Sequence, residues 1–253
     1  LFAVTASAAA VALSLRRDLG SGLIPQRPGP ATAPRWSTTP LGLTFRLQRT
    51  TVLAWSFGVF LTALVYGTVA DDVTQMLEDN PALADYLAKI GGGTSLVDSY
   101  LGTTIGMMVM VVIGFAMSSS LRTRSDETAG FAESMLAAPL SRHRWLGAHL
   151  AVTVLGTFVV LLSTGLGLGI GYATAVHDGS QMLHLVAAVL NQLPAVLVLV
   201  GVAYALFGWF PHASLVAWAG LAVVVIIGIF GDILRLPHWT RELSPLEHVP
   251  AMP

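Results

Sequence analysis

Five stretches of the chain run without a single Asp, Glu, Lys or Arg: Thr51–Ala70, Tyr100–Leu121, Trp145–Val176, Met182–Phe210 and Ala213–Gly231. Crossing a bilayer core of about 30 Å takes about 20 apolar residues in a helix. A charge at mid-membrane costs on the order of 2.5–3.5 kcal/mol, so its uniform absence suits lipid-embedded helices. The pattern predicts an all-α integral membrane protein, a helical bundle of about five full spans. A further apolar run, Leu1–Leu15, is followed rather than preceded by Arg16-Arg17, the wrong order for a signal peptide. We read it as the end of a preceding transmembrane helix, a partial N-terminal span. The Trp145–Val176 run has 32 residues, too many for one upright span, and predicts a tilt or interfacial turns.

The polar segments alternate in charge. Residues 16–50 carry Arg16, Arg17, Arg27, Arg35, Arg46 and Arg49, and residues 122–144 carry Arg122, Arg124, Arg142 and Arg144. The positive-inside rule puts both sets in the cytoplasm. Residues 71–99, with Asp71, Asp72, Glu78, Asp79, Asp85 and Asp98, then fall outside, as does the tail 232–253. Residues 16–49 read as a cytoplasmic linker, broken by Pro25, Pro28, Pro30, Pro34 and Pro40 and suited to joining two halves. Residues 50–253 form one transmembrane domain. Its outer segment 71–99 predicts a short helix over Pro81–Ile90, closing at Gly91-Gly92-Gly93. A tight turn over Gly208–His212, with Pro211 as the stop, joins the fourth and fifth spans. Trp36, Trp145, Trp209 and Trp239 fall where an aromatic belt would place them.

Composition narrows the chemistry. Charged residues make up 11% of the 253, against roughly 25% in an average soluble domain. Mean hydropathy is +0.71. So little charge excludes disorder, a coiled coil and a nucleic-acid binder, and the net charge of −1 provides no field to recruit polyanions. With no cysteine there is no disulfide framework, thiolate metal site or cysteine nucleophile.

Catalytic patterns are missing. The single lysine, Lys89, lies in Ala88-Lys89-Ile90, so no P-loop is present. Gly165, Gly167, Gly169 and Gly171 resemble a nucleotide loop only superficially, since no strand precedes them; as pairs four apart they read as small-residue stripes for close helix contact. His177, Asp178 and His184 are too loosely spaced to argue for a metal and read as interfacial polar residues. No buried ionisable relay of the kind proton-coupled transporters use is evident. Asn191-Gln192, followed by Pro194, is the most polar point within a span. It is either a ligand contact at a kink or an interhelical hydrogen bond, and we favour the second. Trp55 and Phe57, together with Asn191 and Gln192, are the candidates for lining a substrate pathway.

The most informative stretch is Arg122–Trp145. Ser125 can cap a helix whose first turn holds Asp126 and Glu127, where carboxylates favour the dipole. That helix is expected to run to Ala137, with Pro139 ending it and Ser141 capping the next span. Phe131, Met135 and Leu136 share one side; Glu127, Gly130, Glu133 and Ala137 share another. Such a helix can lie on lipid, but lipid-lying helices favour Lys and Arg on the polar face, and this one bears acids. Docking into a protein groove suits it better.

The run Arg124…Glu127-x2-Gly130-x2-Glu133-x2-Leu136-Ala137-Ala138-Pro139-Leu140-Ser141-Arg142-x2-Trp145 resembles the intracellular loop of actinobacterial ABC exporter permeases of the polyketide-antibiotic (tetronasin) type. The tail Leu243-Ser244-Pro245-Leu246-Glu247-His248-Val249-Pro250 is similar to that family's outer segment before its last span. Such permeases carry two six-helix halves and pair with a separate ATPase. This chain would cover the end of the first half, the linker and most of the second half, without the final span.

The resemblance implies a mechanism. Residues 122–144 would be the coupling loop and Ser125–Ala137 the coupling helix, seated in an ATPase cleft. Arg124, Asp126, Glu127, Glu133 and Arg142 would face the partner's charges; Phe131, Met135 and Leu136 would fill its apolar groove, around Gly130. Pro139 would set the angle to the span. ATP and Mg would sit on the partner, in two copies, and this chain would carry no cofactor and no catalytic residue. It would lie in the plasma membrane beside the other permease half and move an amphipathic or hydrophobic small molecule outward. The alternatives are a secondary transporter or channel, a membrane scaffold without cargo, and last a membrane-embedded enzyme, for which catalytic groups are lacking.

Overall fold

The computed structural model describes residues 2–15, 32, 34–78, 96–128, 130 and 141–209. Among these, all regular structure is helical. Helix α1, Phe2–Leu15, forms a unit of its own with Val4 and Val11 exposed. A 3-10 turn follows at Arg35–Thr38, and the second unit, from Trp36 on, contains helices α2 (Pro40–Glu78), α3 (Leu96–Thr128), α4 (Arg142–Val176), α5 (Met182–Asn191) and α6 (Leu193–Trp209).

Local signals explain the boundaries. The Thr39 hydroxyl accepts from the Gly42 N–H at 3.1 Å, and Pro40 follows at the first helical position, where its missing N–H costs nothing. Helix α2 therefore starts inside the stretch expected to be linker and takes Arg46, Gln48 and Arg49 into its early turns. It also runs through Asp71 and Asp72 to Glu78, where segment 71–99 was expected to be loop; Gln75 donates to Asp71 at 2.7 Å one turn away. The expected helix over 81–90 lies outside the described residues.

Helix α3 corrects a second expectation. Ser125 does not cap a new helix; residues 125–128 continue the span. The chain then turns at Gly130, whose φ of 75° is left-handed and whose N–H bonds the Glu127 carbonyl at 3.2 Å. A glycine just past the last turn is a common helix stop. One unbroken helix over Ser125–Ala137 is thus excluded, and residues 131–140 lie outside the described set. Ser141 caps α4 as expected, its hydroxyl accepting from the Arg144 N–H.

Helix α4 is continuous over 35 residues, without interfacial turns. At about 1.5 Å per residue it exceeds the hydrocarbon thickness, so it tilts or projects from it. The fourth expected span is divided at Gln192 into α5 and α6. Pro194 has no N–H to offer the Leu190 carbonyl, and the Gln192 N–H bonds Val189 at 3.2 Å in a tightened turn.

Among the described residues, four segments are long and apolar enough to cross a membrane: Pro40–Asp72, Tyr100–Glu127, Arg142–Val176 and Met182–Leu206. The expected span at 213–231 and the Gly208–His212 turn's remainder lie outside the described residues. Lipid tails are as apolar as leucine, so close packing and hydrogen bonds, rather than water exclusion, join these helices. The glycines do this on two faces of α4. A Cβ on Gly167 or Gly171 would collide with the carbonyls of Phe60 and Leu64 on α2. One on Gly165 would lie 2.9 Å from the Val186 Cα, and one on Gly169 3.0 Å from the Met182 Cγ, both on α5. From α2, Gly67 approaches α4 equally closely. The expected small-residue stripes are therefore two seams, with α2 parallel to α4 along one and α5 antiparallel along the other.

Trp145 departs from the expected aromatic belt. It is 2% exposed and packs edge-on against His149, 4.9 Å between ring centres. Trp36 is exposed, as expected. Trp239 and the Trp209 side chain lie outside the described set.

Candidate functional site

Two regions gather the candidate residues. The first is the elbow where α3 ends and α4 begins. Arg124, Asp126 and Glu127 occupy the last turns of α3, Gly130 the stop, and Arg142 the first position of α4. Arg142 Nη2 lies 2.6 Å from Glu127 Oε1, joining the two helices across the connection. Phe131, Glu133, Met135, Leu136 and Pro139 lie outside the described residues.

Directly above the elbow, inside the bundle, sits a polar chain that sequence reasoning missed. Ser119 on α3 donates to Gln48 Oε1 on α2 at 2.7 Å and shares a 3.0 Å hydrogen bond with Thr153 on α4. The Tyr204 hydroxyl on α6 reaches Thr153 at 3.4 Å and Thr123 at 3.5 Å. Gln48, Ser119, Thr123 and Thr153 are all buried. Gln48 Nε2 and His149 Nδ1 remain buried without a partner. The available signal was spacing: Thr44/Gln48, Ser119/Thr123 and His149/Thr153/Thr157 recur every four residues, one helical face each.

The second region is an apolar groove between α2 and α3, of about 390 Å³. Trp55, Val59, Gly58, Thr62, Met108 and Val111 line it, with Ala54. Trp55 is braced by Phe115, 5.9 Å between ring centres. A volume of this size falls within the range of small-molecule sites. Of the four expected pathway residues, Trp55 alone lines this groove. Phe57 is 65% exposed on another face of α2. Asn191 and Gln192 sit at the α5–α6 break, Asn191 exposed and Gln192 half-buried with Oε1 unpartnered.

At the opposite end of the bundle from the elbow, His177 takes a left-handed φ of 56° after α4. Asp178 accepts from the Ser180 N–H and hydroxyl, each at 2.8 Å, which holds its carboxyl below the usual range. No set of three His, Cys, Asp or Glu able to hold a metal occurs among the described residues.

Residues 38–253 match the family described as "Multidrug efflux system permease Rv1217c, C-terminal domain". The chain is also 37% identical over 235 residues to the multidrug efflux system permease protein Rv1217c of Mycobacterium tuberculosis, covering 92% of this chain and 43% of that relative. It thus spans under half the length of the relative it matches. A bundle of long apolar helices joined through glycine seams agrees with that match: the chain belongs to the Rv1217c-like family of multidrug efflux permeases.

Proposed function

We propose that this chain is the membrane-spanning permease part of an ATP-driven exporter that moves amphipathic or apolar drug-like compounds, of the polyketide-antibiotic class, out of the cell. The observation that carries this reading is the elbow: two long membrane helices brought to one corner and tied there by Glu127 and Arg142. A partner ATPase pushing on such a corner moves both spans at once. The Rv1217c relative's name supports drug-like cargo, and the basic residues of segments 16–49 and 122–144 support a cytoplasmic elbow. In this reading 213–231 is a fifth span, Leu1–Leu15 ends a preceding one, and 232–253 lies outside. The other permease half and two ATPase copies complete the machine, and ATP and Mg belong to the ATPase.

The 390 Å³ groove is the cargo contact on this chain. Its wall contains one hydroxyl, that of Thr62, and no charge, so the portion of cargo it holds is neutral and apolar. Arg124, Asp126, Glu127, Glu133 and Arg142 face the ATPase, and Phe131, Met135 and Leu136 fill its groove.

The chain lacks cysteine, so cysteines placed one at a time over residues 125–140 give single attachment points. A co-purifying ATPase cross-linked there, with Glu133→Arg abolishing its stimulation while insertion persists, is the expected result. Efflux that continues with a hydrolysis-dead ATPase would favour a secondary transporter instead.

A further inference from the structure

The four spanning segments are not joined equally. Helices α2, α3 and α4 are bound by short hydrogen bonds, Ser119–Gln48 at 2.7 Å and Ser119–Thr153 at 3.0 Å. Helix α2 also meets α4 backbone to backbone at Gly67, Gly167 and Gly171, and α5 is seated on α4 at Gly165 and Gly169. Among the described residues, helix α6 differs on each count. It packs mainly on α3 through Val196, Val200 and Ala203. Its glycines, Gly201 and Gly208, have no described neighbour within 4 Å of a would-be Cβ. Its polar tie among the described residues is the Tyr204 hydroxyl, set between Thr123 and Thr153 at 3.5 and 3.4 Å, longer than the roughly 2.5–3.0 Å usual for O–H···O. The end of α6 remote from Tyr204 is the break at Gln192, where Pro194 removes a backbone bond and the Gln192 Oε1 is unpartnered.

We propose that Tyr204 is a positioning residue for transport: it latches the elbow end of α6 onto α3 and α4, and α6 swings about the Gln192–Pro194 break when the elbow is moved, while α2 to α5 travel as one body. Long, divided hydrogen bonds suit a contact that must part and re-form. Thr123 stands one turn above the elbow's Glu127 on the same helix, so displacement of the α3 end acts directly on the latch. This inference rests on the exporter reading for what moves the elbow, but not for the existence of the latch and hinge.

The test uses the full permease in nanodiscs with the ATPase it purifies with. Spin labels are placed on exposed positions Leu47→Cys of α2 and Val202→Cys of α6, with Leu47→Cys and Leu183→Cys of α5 as the reference pair. Without nucleotide, Tyr204→Phe should broaden the 47–202 distance distribution and leave 47–183 unchanged. Two unchanged distributions, or two broadened alike, overturn the latch. With ATP trapped on the wild type, the 47–202 distance should shift and 47–183 should not; a shift in step overturns the hinge. Efflux per ATP hydrolysed should fall several-fold in Tyr204→Phe at equal membrane abundance, whereas a merely structural role would lower abundance and leave that ratio intact. Pro194→Ala, which restores a backbone donor at the break, should narrow the 47–202 shift. ATP-independent efflux would sink the exporter reading, and the nucleotide-free distances would still decide the latch.

Discussion

Arg142 donates to Glu127 at 2.6 Å, and each of the two stands at the unfavourable end of its own helix. Glu127 lies in the last turn of α3, beside the helix's negative pole; Arg142 opens α4, beside its positive pole. A charge misplaced in this way loses about 0.3–1 kcal/mol. The ion pair offsets that loss. With side chains 34% and 69% exposed, the pair itself contributes within the range of about 0.2–1 kcal/mol measured for exposed pairs.

The first prediction follows from that conflict. Exchanging the charges, Glu127→Arg with Arg142→Glu, keeps the pair and aligns both residues with their helix dipoles. Thermal unfolding in detergent should show the exchanged protein at least as stable as the native one, while Glu127→Arg alone is less stable. Stimulation of the proposed partner ATPase should be lost in both. Stimulation restored by the exchange would mean that the pair serves only to join α3 and α4.

A second prediction concerns the glycine seams. Gly171→Ala drives a methyl into the Leu64 carbonyl, and backbone cannot step aside as a side chain can. Overpacking of this kind costs about 1–3 kcal/mol. Gly106, in the same type of helix, has no neighbour within 4 Å of its would-be Cβ. There alanine should be neutral or stabilising by up to about 1 kcal/mol, because glycine is the poorer helix former. Parallel melts of the two variants decide the matter: equal losses would dismiss backbone contact as the basis of the seam.

How far the sequence foretold this architecture differs from element to element. The apolar runs located four spans because absence of charge is a one-dimensional property. The seams were legible too, since glycines four apart repeat on one helical face. Boundaries were misread where polar residues remain helical outside the apolar window: Arg46, Gln48 and Arg49 at the start of α2, and Asp71 and Asp72 near its end. Ser125 has the chemistry of a cap and is not one, because the helix arriving from Leu96 already satisfies its backbone. The Gln48–Ser119–Thr153–Tyr204 chain was hidden for another reason. Its members are far apart in sequence, each unremarkable alone, and only the antiparallel approach of α3 to α2 and α4 brings them together.

The third prediction is a pH dependence at the α4–α5 turn. The Ser180 N–H and hydroxyl stabilise the charged form of Asp178, so its carboxyl pKa is lower in the folded turn than in an unfolded chain. For a depressed acid the associated stabilisation is complete above the unfolded value, about 3.9 for Asp, and is lost as pH falls through the folded one. The Ser180 amide resonance should therefore hold steady through neutral and mildly acidic pH and shift only below the ordinary carboxylate range. Asp178→Asn should abolish that shift. A midpoint at or above the ordinary Asp value would refute the assignment.

The proposed cargo groove allows a test that separates occupancy from stability. Gly58 lies on its wall, and a Cβ built there meets nothing within 4 Å. Gly58→Leu therefore adds a side chain into empty space on a helix, where leucine outperforms glycine by close to 1 kcal/mol. The protein should melt no lower than the native one, and its elbow, remote from Gly58, should remain able to stimulate the proposed ATPase. Efflux of bulky uncharged compounds should nevertheless fall several-fold, and smaller ones should be affected less. Trp55→Phe, which keeps an apolar ring against Phe115, should alter the preference among compounds rather than abolish transport. Phe57→Ala, on another face of α2, serves as the comparison: efflux that responds to Phe57 and ignores Gly58 would move the pathway off this groove and onto the outward face of the helix.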